Sequence, residues 1–118
     1  IPMDGLAVVT ANNLITSVFK KWGFTAYVTL NMINDKSLEG VINLAFNKTD
    51  KKRLADANAC IEELNNLFMD EGYILYRTAI NQMEQVVSEN DEFWKLIKEF
   101  KAVLDPKNII APKRYNLV

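Results

Sequence analysis

A chain of 118 residues, 49% hydrophobic and 25% charged, has the makeup of an ordinary folded domain and enough length to bury a core of its own. Its 14 basic residues against 15 acidic ones leave a net charge of -1, so no global field draws nucleic acid or an anionic membrane surface. No apolar run approaches the roughly 18 residues that span a bilayer, and the first residues lack the pattern of a signal peptide, so a soluble, cytoplasmic chain is expected. Histidine is absent. That removes the commonest general base, the commonest zinc ligand and any Ser-His or Cys-His pair, and no metal site is expected.

In chain order, Asp4 is placed to cap a helix whose apolar face is Val8, Ala11, Ile15, Val18, Phe19 and Trp22, at spacings of three and four, ended by Gly23. From Phe24 to Ile33, Phe24, Ala26, Val28, Leu30 and Met32 alternate with Thr25, Tyr27, Thr29 and Asn31, which is the period of a strand with one buried face. Asn34 to Ser37 has turn chemistry, and Leu38 to Phe46 is a second apolar strand. The two make an antiparallel hairpin over residues 24–47. Thr49 or Asp50 caps a long helix, about Asp50 to Glu71, with the stripe Leu54, Ala57, Cys60, Ile61, Leu64, Leu67 and Phe68. Gly72 ends it.

Beyond Gly72 the expectation is a short apolar strand, Tyr73 to Tyr76, then a helix from about Asn81 to Val87. A last helix, Asp91 to Leu104, has Phe93, Trp94, Ile97, Phe100, Ala102, Val103 and Leu104 as its packing face. Asp105-Pro106 breaks that helix, and the tail "NIIAPKRYNLV" reads as an extended segment apolar enough to dock. This order describes an α+β fold, helices on one face of an antiparallel sheet, in a single domain over residues 1–118. Two strands alone are marginal, so further strands are expected from sequence outside this chain. The opening Ile1-Pro2-Met3 reads as part of a longer polypeptide.

Few residues offer chemistry. The four glycines are isolated, so there is no phosphate-cradling loop. Lys48, Lys51, Lys52 and Arg53 read as a solvated face at a helix start, Glu62 and Glu63 point in different directions on a helix, and Cys60 reads as a packed core thiol. The phrase "GYILYRT", Gly72 to Thr78, differs in setting two tyrosines and an arginine in a connection directly after a helix stop. Tyr76 and Arg77 together offer a neutral donor and a fixed positive charge, suited to an oxyanion such as a phenolate or carboxylate. Alternatively, Tyr76 packs and Arg77 makes a surface ion pair.

The phrases "GYILYRTAINQM" and "LDPKNIIAP", with "WGFTAYVTLNMI" and "FNKTD" before them, resemble the carboxy-terminal region of the vanillyl-alcohol oxidase and p-cresol methylhydroxylase flavoproteins, from about Lys21 onward. The resemblance implies a ferredoxin-like FAD-linked oxidase C-terminal domain, here the end of the substrate (cap) domain without the FAD-binding domain. It implies Tyr76 and Arg77 as substrate-binding and catalytic residues that hold the phenolic oxygen of a para-substituted phenol as phenolate while hydride passes to FAD. The family's tail carries glycine and then a basic residue after Ala-Pro. This chain has Lys113 at the glycine, which bears on the local turn because lysine tolerates positive φ less readily, and Arg114 at the basic position, a candidate flavin contact. The remainder of the flavoenzyme is the implied partner, self-association is left open, and the chain alone is expected to be inactive. Two other readings stand beside this one: an FAD-linked 2-hydroxy-acid oxidase, and a stand-alone ferredoxin-like module using Tyr76 and Arg77 to hold a small carboxylate.

Overall fold

The computed structural model describes residues 1–87 and 91–115, which fall in two compact units, Ile1–Ile74 and Leu75–Val118. Among the described residues the architecture is α+β, with four helices and one two-stranded antiparallel hairpin. No helix among them is long and apolar enough to cross a membrane.

The first unit follows the sequence pattern closely. Helix α1, Gly5–Lys21, starts where the Asp4 carboxylate accepts the Ala7 N–H at 3.0 Å. It ends at Gly23, whose φ of +68° lets the Phe24 N–H reach back to the Phe19 carbonyl at 2.8 Å. Helix α2, Lys51–Asp70, repeats both devices. The Asp50 carboxylate accepts the N–H groups of Lys52 and Arg53, and Gly72 at φ +79° lets the Tyr73 N–H reach the Phe68 carbonyl at 2.8 Å. In each case an aromatic residue just past the glycine returns toward the helix; Tyr73 meets the Phe68 ring edge-on at 5.5 Å.

Between the helices, β1, Ala26–Met32, pairs with β2, Leu38–Leu44. Ala26 lies opposite Leu44, Val28 opposite Ile42, Leu30 opposite Gly40 and Met32 opposite Leu38, so one face of the hairpin is wholly apolar. Its near end, Ala26, Ile42 and Leu44, joins the core made by Ala11, Ile15, Val18, Phe19, Phe24, Ala57, Cys60, Leu64 and Phe68. Farther along, cover gives out, and Met32 is 69% exposed.

Polar pins hold α1 to α2. The Glu63 carboxylate accepts from the Lys21 ammonium at 2.7 and 2.8 Å and from the Trp22 indole at 2.8 Å. Those hydrogen bonds, the Lys21 one foremost, hold the Glu63 carboxyl below the usual carboxylate range. Arg53 does not belong to a solvated face: its guanidinium lies 4.0 Å over the Phe24 ring and donates to the Gly23 carbonyl at 3.0 Å. Only the lysines of that cluster are exposed. Cys60 is fully buried, and burial first, then the Glu63 charge, pushes its thiol pKa up, which suits an inert packing residue.

Past Gly72 several expectations fail. Tyr73–Tyr76 is not a strand, because Tyr73 is committed to closing α2 and its hydroxyl donates to the Ala7 carbonyl at 3.4 Å. The helix expected from Asn81 to Val87 contracts to a 3-10 turn, Ile80–Gln82, followed by the single-turn α3, Met83–Val86, with no side-chain cap on either. Helix α4, Glu92–Leu104, starts as expected on Asp91, whose carboxylate accepts the Phe93 N–H at 2.8 Å. None of its residues is buried, however, and Phe93, Leu96, Phe100, Val103 and Leu104 are all exposed. As far as Tyr115 the tail is not extended either, and its end, residues 116–118, lies outside the described residues. It turns repeatedly, with positive φ at Asn108, Ala111, Lys113 and Tyr115.

Candidate functional site

The residues singled out by sequence lie in the second unit, immediately beyond the α2 stop. The objection to using adjacent side chains at one site is that a regular strand would send them to opposite faces. No strand forms here; the backbone bends at Tyr76 and Arg77, and the Arg77 guanidinium lies 5.8 Å from the centre of the Tyr76 ring. The two therefore face one region. Both are exposed, and among the described residues neither makes a hydrogen bond or an ion pair. The pair thus offers an unspent phenol O–H and an unspent guanidinium fork to an incoming oxyanion. The surface ion pair, the alternative role for Arg77, is not formed among the described residues.

Thr78, the next residue, is 2% exposed, and its Oγ1 has no hydrogen-bond partner among the described residues. Sequence reading passed over it because threonine inside an apolar phrase carries no distinguishing signal. Burying such a hydroxyl unpaired costs about 1–3 kcal/mol, so Thr78 belongs beside the Tyr76–Arg77 pair in any account of this bend.

Arg114 stands at the other end of the unit, exposed, with its backbone N–H donating to the Ala111 carbonyl at 3.1 Å. No hydrogen bond or ring contact joins it to Tyr76 or Arg77 among the described residues. Lys113 before it has φ +65°, so the turn expected of glycine forms with lysine in place. What shapes this tail is Asp105. Its carboxylate accepts the N–H groups of Ile109 at 2.9 Å and Ile110 at 2.8 Å and pairs with the Lys101 ammonium, which also donates to the Ile110 carbonyl. Lys101 first, then the Ile109 N–H, holds the Asp105 carboxyl below its ordinary range. The Tyr115 ring completes the fold-back, stacked parallel on Trp94 at 6.0 Å, while its N–H donates to the Met83 sulfur at 3.4 Å. A signal for Asp105 was present in the sequence, as a Lys at i and an Asp at i+4 closing a helix just before proline.

No family model matches the sequence and no solved structure does. The chain is 32% identical over 98 residues to the 4-cresol dehydrogenase [hydroxylating] flavoprotein subunit of Pseudomonas putida, a match that takes in 82% of this chain and 19% of that protein. The chain belongs to the vanillyl-alcohol oxidase and p-cresol methylhydroxylase family. A second protein similar to it is the 1'-carboxy-chondrochloren decarboxylase of Chondromyces crocatus, 22% identical over 116 residues, 98% of this chain and 21% of that protein. The chain therefore spans about a fifth of the length of these two proteins. The matched region is part of a flavoprotein subunit in the Pseudomonas putida relative, and here Arg114 is an exposed cation next to the positive-φ turn at Lys113.

Proposed function

We propose that this chain supplies the phenol-recognising edge of an FAD-dependent oxidoreductase acting on para-substituted phenols, with Tyr76 and Arg77 gripping the phenolic oxygen. The observation that carries this reading is the bend at Tyr76–Arg77, which turns adjacent side chains toward one region and leaves both without another partner among the described residues. A free phenol ionises near pH 10, and a guanidinium beside it favours the phenolate. The Tyr76 hydroxyl adds a neutral donor to the same oxygen. A phenolate so held can release hydride from the carbon attached para to it, becoming a neutral quinone methide. FAD, when bound, would accept that hydride, and Arg114 is the candidate of this chain for contacting it. The chain alone is not expected to turn over substrate, and the hairpin is read as part of a ferredoxin-like sheet in the whole flavoenzyme.

Steady-state kinetics of the intact flavoenzyme with a para-alkylphenol test this reading. Truncating one partner of a desolvated charge-assisted pair costs about 2–5 kcal/mol, so Arg77→Ala should lower kcat/KM roughly 30-fold to several thousandfold. Arg77→Lys should recover part of it, because a point charge does not reproduce the planar fork, and Tyr76→Phe should cost less than Arg77→Ala. Unchanged kcat/KM, with an unchanged spectrum of a bound phenolate inhibitor, would return both residues to a structural role. The match along nearly the whole chain to a decarboxylase favours a second reading, in which the same pair orients a substrate that loses carbon dioxide. Carbon dioxide release from a para-carboxyalkyl phenol, without oxidation of the alkylphenol, would select it.

A further inference from the structure

The hairpin carries a third strand in embryo. Ile1 and Leu38 exchange both backbone hydrogen bonds, the Ile1 amine donating to the Leu38 carbonyl at 3.0 Å and the Leu38 N–H to the Ile1 carbonyl at 2.8 Å. Pro2 then lies opposite Ser37, and the Met3 N–H donates to the Lys36 carbonyl at 2.9 Å. This is antiparallel pairing along the outer edge of β2, on the side away from β1. Backbone groups alternate in direction along a strand. With Leu38 pointing outward to Ile1, the N–H and C=O groups of Gly40, Ile42 and Leu44 point outward too, while Glu39, Val41 and Asn43 point toward β1. No described backbone segment pairs with that outward edge beyond Leu38.

We propose that the polypeptide leading into Ile1 in the intact flavoenzyme runs along β2 as the third strand of this sheet. Continuity fixes its register. The residue two positions before Ile1 faces Gly40, the one four before faces Ile42 and the one six before faces Leu44. Side chains opposite one another share a face, so these positions stand on the apolar face with Ile1, Leu38 and Leu30 and are apolar themselves. The Ile1 side chain already does this: a Cβ on Gly40 would lie 3.2 Å from its Cδ1, so the missing side chain of Gly40 makes the room that Ile1 fills. Pro2 has no N–H to offer, and it stands opposite Ser37, where none is needed. A two-stranded ribbon is marginal in water, whereas a third strand satisfies three outward residues of β2 and widens the face set against α1 and α2. Nothing in this arrangement depends on Tyr76 or Arg77.

Hydrogen exchange resolved to single amides, on the intact flavoenzyme, tests it with its own internal reference. Gly40, Ile42 and Leu44 should exchange as slowly as Glu39, Val41 and Asn43, on the order of 100-fold slower than an open edge allows. The reading frame ahead of Ile1 should show apolar residues at alternate positions. An alternation along β2, with its inward amides slow and its outward ones fast, would overturn the proposal. Protection of the outward amides that fades on dilution would assign the edge to a second copy and overturn it equally.

Discussion

Replacing Leu64 by alanine separates the residues that hold the first unit from those that merely follow its periodicity. Leu64 is 2% exposed on the inner side of α2, whereas Leu54, in the same apolar stripe, is 39% exposed. Leu64→Ala removes three buried carbons, about 2.4 kcal/mol of transfer free energy at 0.8 kcal/mol each, and adds a cavity term because the neighbouring Phe19 and Ile15 cannot fully collapse into the space. A loss of about 3–5 kcal/mol follows, a large part of what a small unit possesses. Leu54→Ala leaves no cavity and should cost under about 1 kcal/mol. Denaturant unfolding followed by Trp22 emission, in a Trp94→Phe background so that one indole reports, measures both. Equal losses at the two positions would refute the burial argument, and so would a Leu64→Ala loss below about 1 kcal/mol.

Glu63→Gln should destabilise the chain at neutral pH and matter less in acid. The Glu63 carboxyl titrates below its unfolded value, so its contribution is present above that unfolded value and disappears as pH falls through the folded one. Denaturant midpoints of the two proteins should converge on acidification, and a gap that stays constant with pH would mean the Lys21 and Trp22 contacts act through packing alone. Asp105→Asn should release the tail, since an amide presents one acceptor oxygen where the carboxylate uses two and no longer pairs with Lys101. Faster exchange of the Ile109 and Ile110 amides checks it, and unchanged protection would show that the Trp94–Tyr115 stack suffices.

The first unit was legible because its signals are local and mutually consistent: Asp4 and Asp50 as caps, Gly23 and Gly72 as stops, and a hairpin whose alternation agrees with its turn. Arg53 was misread because charge patterning cannot tell an exposed cation from one laid across the ring of Phe24. Past Gly72 the signals weaken. Tyr73 to Tyr76 has strand composition, but Tyr73 is recruited to close α2, and no described strand pairs with the segment. The face of α4 was correctly apolar, yet periodicity says which residues share a side and nothing about what covers it. At the candidate site, the resemblance to the flavoprotein family pointed to Tyr76 and Arg77 where the residues alone left a packing and ion-pair role open, while the bend at the pair and the burial of Thr78 came only with coordinates.

The left-handed turn at Lys113 has a consequence for how this tail can vary. A non-glycine residue at φ +65° is disfavoured by about 1–2 kcal/mol, a strain that persists only where the surroundings over-determine the backbone. The clamp of Asp105 on Ile109 and Ile110, followed by the stacking of Tyr115 on Trp94, brackets the position from both sides. Glycine and lysine can thus trade places on an unchanged trace, so that substitution here writes charge without redrawing shape. In this chain the exchange sets a second cation directly beside Arg114, making the tail a more strongly positive tip than a glycine-bearing one would be.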